Sequence, residues 1–135
     1  MRSLLFLVLA SAISSVAAAE WTLVGDHPKL RVEVDAQSVT KDQGFIKAWF
    51  KWEYAETQYT NPDRRAFRSM KELNYFDCGK LRYAIAQRAA YSEPDGRGES
   101  VFSSAIPVSK LAFEEVIPDS IGESMLRFTC KTLGK

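Results

Sequence analysis

Few side chains of this sequence could carry acid–base, nucleophilic or metal chemistry. His27 is the single histidine and precedes Pro28 in a predicted turn, so neither a catalytic triad nor a two-histidine metal site can be assembled. The carboxylates of Glu114 and Glu115 would point to opposite faces of a strand and could not flank one bond. The sequence therefore predicts a protein that is not an enzyme and needs no metal or cofactor.

The two cysteines, Cys78 and Cys130, predict one disulfide. Oxidising conditions outside the cytoplasm favour pairing, and the bond would join the middle of the chain to its C-terminal segment. Closing a loop of about 50 residues is worth roughly 4 kcal/mol in the chain-entropy model. A metal site or a catalytic thiol is the alternative, but neither finds a second ligand pair or a suitably placed histidine.

Positive charge is concentrated in the middle of the chain. Residues 64–97 hold eight bases and four acids, whereas bases and acids balance at 17 each after residue 19. Because a balanced chain is not a general polyanion binder, no nucleic-acid partner is expected. The candidate partner-binding residues are bases of this middle segment and one tryptophan: Arg64, Arg65, Arg68, Lys80, Arg82, Arg88 and Trp49. Ordinary solvated side chains are the alternative interpretation.

Trp49 lies in a run of alternating residues, 45–54, that predicts a strand. Lys47, Trp49 and Lys51 would share one face of it, and Lys80, Arg82 and Arg88 are predicted to share one face of another strand. A side of the sheet that shows aromatic residues among bases could dock an acidic partner. The alternative is that the C-terminal helix covers this face.

The elements that must position these residues are predicted to be strands followed by one helix. The fold class is α+β: an antiparallel sheet of about six strands with a C-terminal helix packed on it. Turn residues at 42–44 and 94–98 predict hairpins, and the runs 30–34 and 45–54 are predicted to pair as antiparallel neighbours. Segment 55–68 has no sustained period and is predicted to be a long exposed loop.

The helix is predicted to begin after Ser120, because Glu123 three residues later completes a capping box. Ile121, Met125 and Phe128 then form one apolar stripe that would lie on the sheet. A face that binds a partner is the alternative for this stripe. Cys130 would lie beside the stripe and could reach Cys78.

The N-terminus has the pattern of a signal peptide over residues 1–19. Arg2 is followed by an apolar run and by the small residues 17–19, which suit a signal peptidase. The run is short for a spanning helix of roughly 20 residues, although a retained membrane anchor is the alternative. We therefore expect an exported protein, periplasmic, secreted or on the cell surface. Residues 20–135 would form a single domain without a transmembrane segment.

Several short motifs follow one another along the chain. They are Trp21, Asp35-Ala36-Gln37-Ser38-Val39, Ala48-Trp49 after Gly44, Asp77-Cys78, Tyr91, Ile117-Pro118-Asp119-Ser120 and Cys130. In this order they resemble the surface-adhesin protein E family of bacterial exported proteins, and the resemblance spans nearly the whole chain after the signal peptide. Phe113 is a mild departure, since relatives often have Trp before the Pro-x-Ser element.

The resemblance implies an antiparallel sheet with a C-terminal helix held by a Cys78–Cys130 bridge. It also implies an adhesin-like role in which the domain binds host extracellular-matrix or serum proteins. A periplasmic protein that binds a small ligand such as haem on its aromatic strand face is the alternative function. Exposed strand edges also make a homodimer a possible assembly.

Overall fold

A computed structural model of the chain describes residues 11–13 and 19–133. Within them, eight strands form one antiparallel sheet and a helix follows, which confirms the predicted fold class. The central strand order is β1-β2-β4-β5-β6-β7, with β3 paired to β4 and β8 to β6. The bounds are β1 Trp21–His27, β2 Leu30–Asp35, β3 Thr40–Asp42, β4 Phe45–Tyr59, β5 Ala66–Asp77, β6 Arg82–Tyr91, β7 Ser100–Ala105, β8 Glu114–Glu115 and α1 Ile121–Leu133.

The predicted turns lie where expected. β2 pairs with β4 in the antiparallel sense, and β3 and β4 are joined by Gln43 and Gly44. Both residues have positive φ, 52° and 84°, as a two-residue hairpin turn that follows the twist of the sheet requires. The sheet has eight strands rather than the predicted six, and two of them, β3 and β8, are only three and two residues long.

The prediction of a long loop at residues 55–68 is wrong. β4 continues to Tyr59 and β5 begins at Ala66, so only residues 60–65 form the connection. The pairing register shifts between Glu53 and Gln58, which breaks the alternation of side chains and hides the strand from a period-two pattern. Arg68 supports this irregular stretch, since its guanidinium donates hydrogen bonds to two carbonyl oxygens of β4.

The main core lies between the sheet and α1, on the side that we call the helix face. Its largest fully buried side chains include Phe50, Phe76 and Met125. Ile121, Phe128 and the other stripe residues pack against this cluster, so the predicted core role of the stripe is confirmed. The buried members are Val32, Val34, Val39, Ile46, Ala48, Phe50, Phe76, Met125 and Leu126.

Ser120 and Glu123 hold the start of α1 as predicted, except that the Glu123 carboxylate bonds the backbone of Asp119 rather than that of Ser120. At its start the backbone N–H of Glu123 donates to Ser120 Oγ over 3.3 Å, and the Glu123 carboxylate accepts from the backbone N–H of Asp119 over 3.2 Å. Near its end, Cys130 is bonded to Cys78, which directly follows β5. The predicted disulfide is therefore confirmed, and it ties the helix to the centre of the sheet.

The other side of the sheet, which we call the outer face, is covered by a different part of the chain. It carries Trp49, Leu73 and Tyr75, and the connection between β7 and β8 packs on it through Val108 and Leu111. From the sequence, this face was predicted to be either exposed to solvent or covered by the C-terminal helix, and neither alternative is correct. The covering connection was missed because residues 106–113, although largely apolar, follow neither a strand period nor a helix period.

The signal-peptide prediction concerns residues 1–19, and most of these lie outside the described residues. In the part of the chain that the structure describes, no helix has the length and apolar character needed to cross a membrane.

Candidate binding surfaces

Arg82 and Arg88 were predicted to share one face of a strand, and they do not. Arg82 pairs in register with Asp77 and Arg88 with Glu72, five residues apart on β5, which places them on opposite faces. The register shift in β6 at Ala86 places one extra residue between the two arginines. The side chains that follow Ala86 along β6 therefore lie on the opposite face from the one that simple alternation predicts. Lys80 lies in the turn before β6 and belongs to neither face.

The Arg82 side chain forms an ion pair with Asp77, the last residue of β5. Its Nη2 atom lies 2.9 Å from Asp77 Oδ2, and its guanidinium carbon lies 5.4 Å from the centre of the Phe113 ring. The hydrogen bond from Arg82 lowers the pKa of the Asp77 carboxyl below its ordinary value. The neighbouring Lys80 is exposed, and its backbone N–H donates to the same carboxylate.

Arg88 forms an ion pair that is buried at one end only. Its Nη2 and Nε atoms donate to Glu72 Oε2 over 2.6 and 2.9 Å. The Glu72 side chain is 4% exposed, whereas that of Arg88 is 37% exposed. Burial raises the pKa of Glu72, and the positive charge of Arg88 opposes that rise. The pair therefore presents its cation to solvent and keeps its anion inside.

Arg64 and Arg65 lie at the β4–β5 connection, beside the start of β7. The Arg64 guanidinium is 5.0 Å from the centre of the Tyr59 ring. Arg65 pairs with Glu99 over 2.7 Å and donates to the carbonyl oxygen of Val101 over 3.2 Å. Tyr59 is 53% exposed and Phe102 on β7 is 41% exposed. We call Tyr59, Arg64, Arg65 and Phe102 the hairpin-end surface.

The six bases named from the sequence are thus not brought together. β5 has 12 residues, so Arg64 and Arg65 before it and Lys80 after it are separated by about 36 Å, at roughly 3.3 Å per residue. Arg68 is half-buried against the β4 backbone. Trp49 is half-buried on the outer face, packed against the smaller core there.

A polar cluster on the outer face was not found from the sequence. The side chain of Lys51 is 6% exposed; its Nζ atom contacts the Asp95 carboxylate, lies 3.7 Å from Glu33 Oε2 and sits 4.5 Å from the centre of the Trp21 ring. The backbone N–H of Asp95 donates to Glu53 Oε1 over 2.7 Å. The β6–β7 loop is thereby fastened onto the sheet. Sequence alternation correctly placed Lys51 opposite Phe50, but it could not show which loop folds over it.

Two pockets flank β7, one on each face of the sheet. The pocket on the helix face has a volume of about 190 Å³ and is lined by Tyr59, Phe67, Met70 and Phe102 among others. The pocket on the outer face has a volume of about 370 Å³ and is lined by Trp49 and by three residues of β7. Arg88 lines both pockets. Neither pocket could be found from the sequence, because β6 and the end of β4 are brought together by irregular pairing.

Among residues 11–13 and 19–133, no group of three or more His, Cys, Asp or Glu side chains is arranged to hold a metal ion. The β7–β8 connection packs on the aromatic outer face beside Trp49, and Trp49 also lines the outer-face pocket.

The fold is shared with solved structures of one bacterial protein. A structure of Haemophilus influenzae protein E has 16% identity and a TM-score of 0.62, covering 93% of this chain and 93% of that chain. Its crystal form II gives 16% identity and a TM-score of 0.60, covering 88% of this chain and 100% of that chain. A structure from non-typeable Haemophilus influenzae gives 16% identity and a TM-score of 0.58, covering 90% and 81%. At this identity the likeness concerns the fold alone.

None of the curated proteins compared with the chain gave a match. The sequence does match a family of surface adhesins over residues 21–131, which is nearly everything after the predicted signal peptide. The matched range includes all eight strands, both cysteines of the disulfide and most of α1. The chain belongs to the surface-adhesin protein E family.

Proposed function

We propose that this protein is an exported, non-catalytic domain that binds host extracellular-matrix or serum proteins. The observation that carries the proposal is the family match over residues 21–131, since the family is one of surface adhesins. Export is also what the signal-peptide pattern of residues 1–19 predicts. The disulfide between Cys78 and Cys130 suits an oxidising compartment.

The hairpin-end surface is the part of the predicted basic region best suited to bind a protein. It combines two exposed aromatic rings with two arginines, and these residue types dominate binding hot spots. Arg82 is committed to Asp77, and Arg68 to carbonyl oxygens of β4. At the hairpin end Arg65 is paired with Glu99, whereas Arg64 lies on the exposed Tyr59 ring, so Arg64 is the arginine of this surface that is more available to a partner.

The experiment is a binding assay of residues 20–135, with the disulfide formed, against an array of extracellular-matrix and serum proteins at physiological salt. Saturable binding of one of them is expected. In the Arg64→Glu variant that binding should weaken at least tenfold. Lys80→Glu makes the same charge change at an exposed position at the far end of β5, and it should bind within twofold of the unaltered chain.

Three outcomes are informative. If no protein of the array binds, the adhesin role is refuted for this set of hosts. If Arg64→Glu and Lys80→Glu weaken binding equally, the effect is one of overall charge and the hairpin-end assignment is wrong. Thermal unfolding of both variants, compared with the unaltered chain, shows whether either change acts through stability instead.

A further inference from the structure

β7 is an edge strand, and in the described part of the chain no strand pairs with the side of it that faces away from β6. It pairs with β6 on one side and ends the strand order. The backbone N–H of Ile106 donates to the carbonyl oxygen of Ala86, so this residue points its backbone toward β6. Since these groups alternate along a strand, Ser103 and Ala105 direct their N–H and carbonyl groups away from the sheet. The carbonyl oxygen of Val101, on the same side, accepts from Arg65.

This edge lacks the usual protection against pairing. Residues 100–105 contain no charged residue and no proline, the residue types that commonly block an edge strand. The other edge, β1, differs because α1 packs against it and it includes Asp26. β7 is therefore the edge more open to an added strand.

The two pockets beside β7 lie where an added strand would need them. Successive side chains of a strand point to opposite faces, and the pockets lie on opposite faces next to the same edge. The helix-face pocket, at about 190 Å³, is smaller than the roughly 300–1,000 Å³ of small-molecule sites, and its Phe67, Met70 and Phe102 lining suits one apolar side chain. Strand addition typically combines backbone hydrogen bonds with pockets for alternate side chains.

The exposed arginines along this edge indicate which charge an added strand should carry. Arg88 lines both pockets with its partner Glu72 buried behind it, and Arg65 stands at the start of β7. Glu99 is paired with Arg65, whose side chain remains 43% exposed. Acidic residues in the added strand would complement these cations. A second copy of β7 would instead bring Ser103, Ser104 and Ala105, which are too small to fill the pockets, and would place arginines opposite arginines.

We propose that the free edge of β7 binds an extended segment of a partner protein as a further strand of the sheet, with neighbouring apolar side chains in the two pockets and acidic residues facing Arg65 and Arg88. The inference rests on the proposed function, because it specifies how the same end of the molecule engages a protein. Ser103 is the residue that tests it, since its outward N–H would donate to the added strand.

The probe is a synthetic ten-residue peptide of alternating Val and Thr, with adjacent Phe and Leu at its centre and two Glu residues at one end. Its binding to residues 20–135 is followed by fluorescence anisotropy, and hydrogen exchange of the backbone amides locates it. We expect saturable binding that slows exchange at Ser103 and Ala105. Ser103→Pro, which removes the outward N–H and leaves the β6 hydrogen bonds in place, should weaken binding at least tenfold.

Ser100→Ala is the control on the same strand, because it removes a hydroxyl that lines neither pocket and keeps every backbone N–H, and its affinity should stay within twofold. Thermal unfolding of Ser103→Pro shows whether the sheet is intact; should it fail to fold, Ala105→Pro serves in its place. The proposal is overturned if the peptide does not bind, if it binds the proline variant equally well, or if it slows exchange at β1 instead. A concentration-dependent dimer of the chain that Ser103→Pro abolishes would also overturn it.

The peptide and the protein array separate the two proposals. Peptide binding at β7 without any binding in the array would leave the edge site standing and refute the adhesin role. A matrix or serum protein that binds Ser103→Pro as tightly as the unaltered chain would support the adhesin role and refute strand addition.

Discussion

The backbone N–H of Trp49 donates a hydrogen bond to the side-chain oxygen of Ser38 over 2.9 Å. This contact lies at the point on β4 where its pairing with β2 ends at Phe50 and its pairing with β3 begins at Lys47. The Ser38 hydroxyl also donates to the carbonyl oxygen of Asp35 over 2.7 Å. One side chain thus fills the gap between two strands that share the same neighbour.

Ser38→Ala should therefore lower the free energy of unfolding by about 1–3 kcal/mol, because it leaves a backbone donor without its partner. Urea unfolding followed by tryptophan fluorescence measures this. Ser100→Ala is the control, since its hydroxyl lies on the exposed β7 and makes only a 3.4 Å contact within its own strand. Equal stabilities of the two variants would show that the Ser38 contact contributes nothing to the sheet.

Loss of the disulfide should have a larger effect. Replacing both Cys78 and Cys130 by serine opens a link between residues 52 positions apart, worth roughly 4 kcal/mol by loop entropy. That is a large share of the 5–15 kcal/mol typical of a small domain, so the variant should unfold at much lower denaturant. Mass spectrometry of the exported protein should find no free thiol, and two free thiols would contradict the pairing.

Stability should fall in acid below about pH 4. A hydrogen bond from a neighbouring side chain holds the pKa of three aspartates below the ordinary 3.8, so their contribution is complete above that value and is lost as pH falls through the folded-state pKa. The three carboxylates, each with its main donor, are Asp42 with Tyr75, Asp77 with Arg82 and Asp95 with Lys51.

Glu53 and Glu72 should act in the opposite sense. Burial raises the pKa of both above the ordinary 4.5, so the folded chain takes up protons before the unfolded chain does and stability rises as pH falls toward 4.5. The free energy of unfolding, measured from pH 7 to pH 2, should thus pass through a maximum near pH 4. Asp42→Asn should flatten only the acid side of this curve. A steady decline from pH 7 downward would contradict the assignment for the glutamates.

The sequence predicted those parts of the fold that depend on local pattern. Alternation identified the strand at 45–54, the Asp42-Gln43-Gly44 turn was correct, and Ser120 with Glu123 marked the start of α1. It failed wherever pairing is irregular. Because of the register shift after Glu53, the ends of β4 and β5 were predicted to be a loop. Because of the shift at Ala86, Arg88 lies on the opposite face from Arg82. A bulge reverses the phase of the alternation, and where the flanking residues are mostly alanines, as around Ala86, a period-two count does not reveal the change.

The site was harder to predict than the fold because it depends on contacts distant in sequence. Arg64 was named for its charge, but it lies on the Tyr59 ring, and the order of the sheet strands is what brings Tyr59 and Phe102 to one pocket. The burial of Lys51 likewise depends on Asp95, 44 residues away. Composition identified which residues could bind a partner, and only the pairing of strands determined which of them are near one another.

Because α1 is the last element of the described chain, it is synthesised after the sheet that it covers. Every strand precedes α1, so the sheet emerges first during synthesis and export while its helix face, with Val32, Val34 and Phe50, has no cover. Exposed apolar surface on an incomplete sheet invites aggregation. The helix face therefore stays uncovered until the segment carrying Cys130 follows and closes the core.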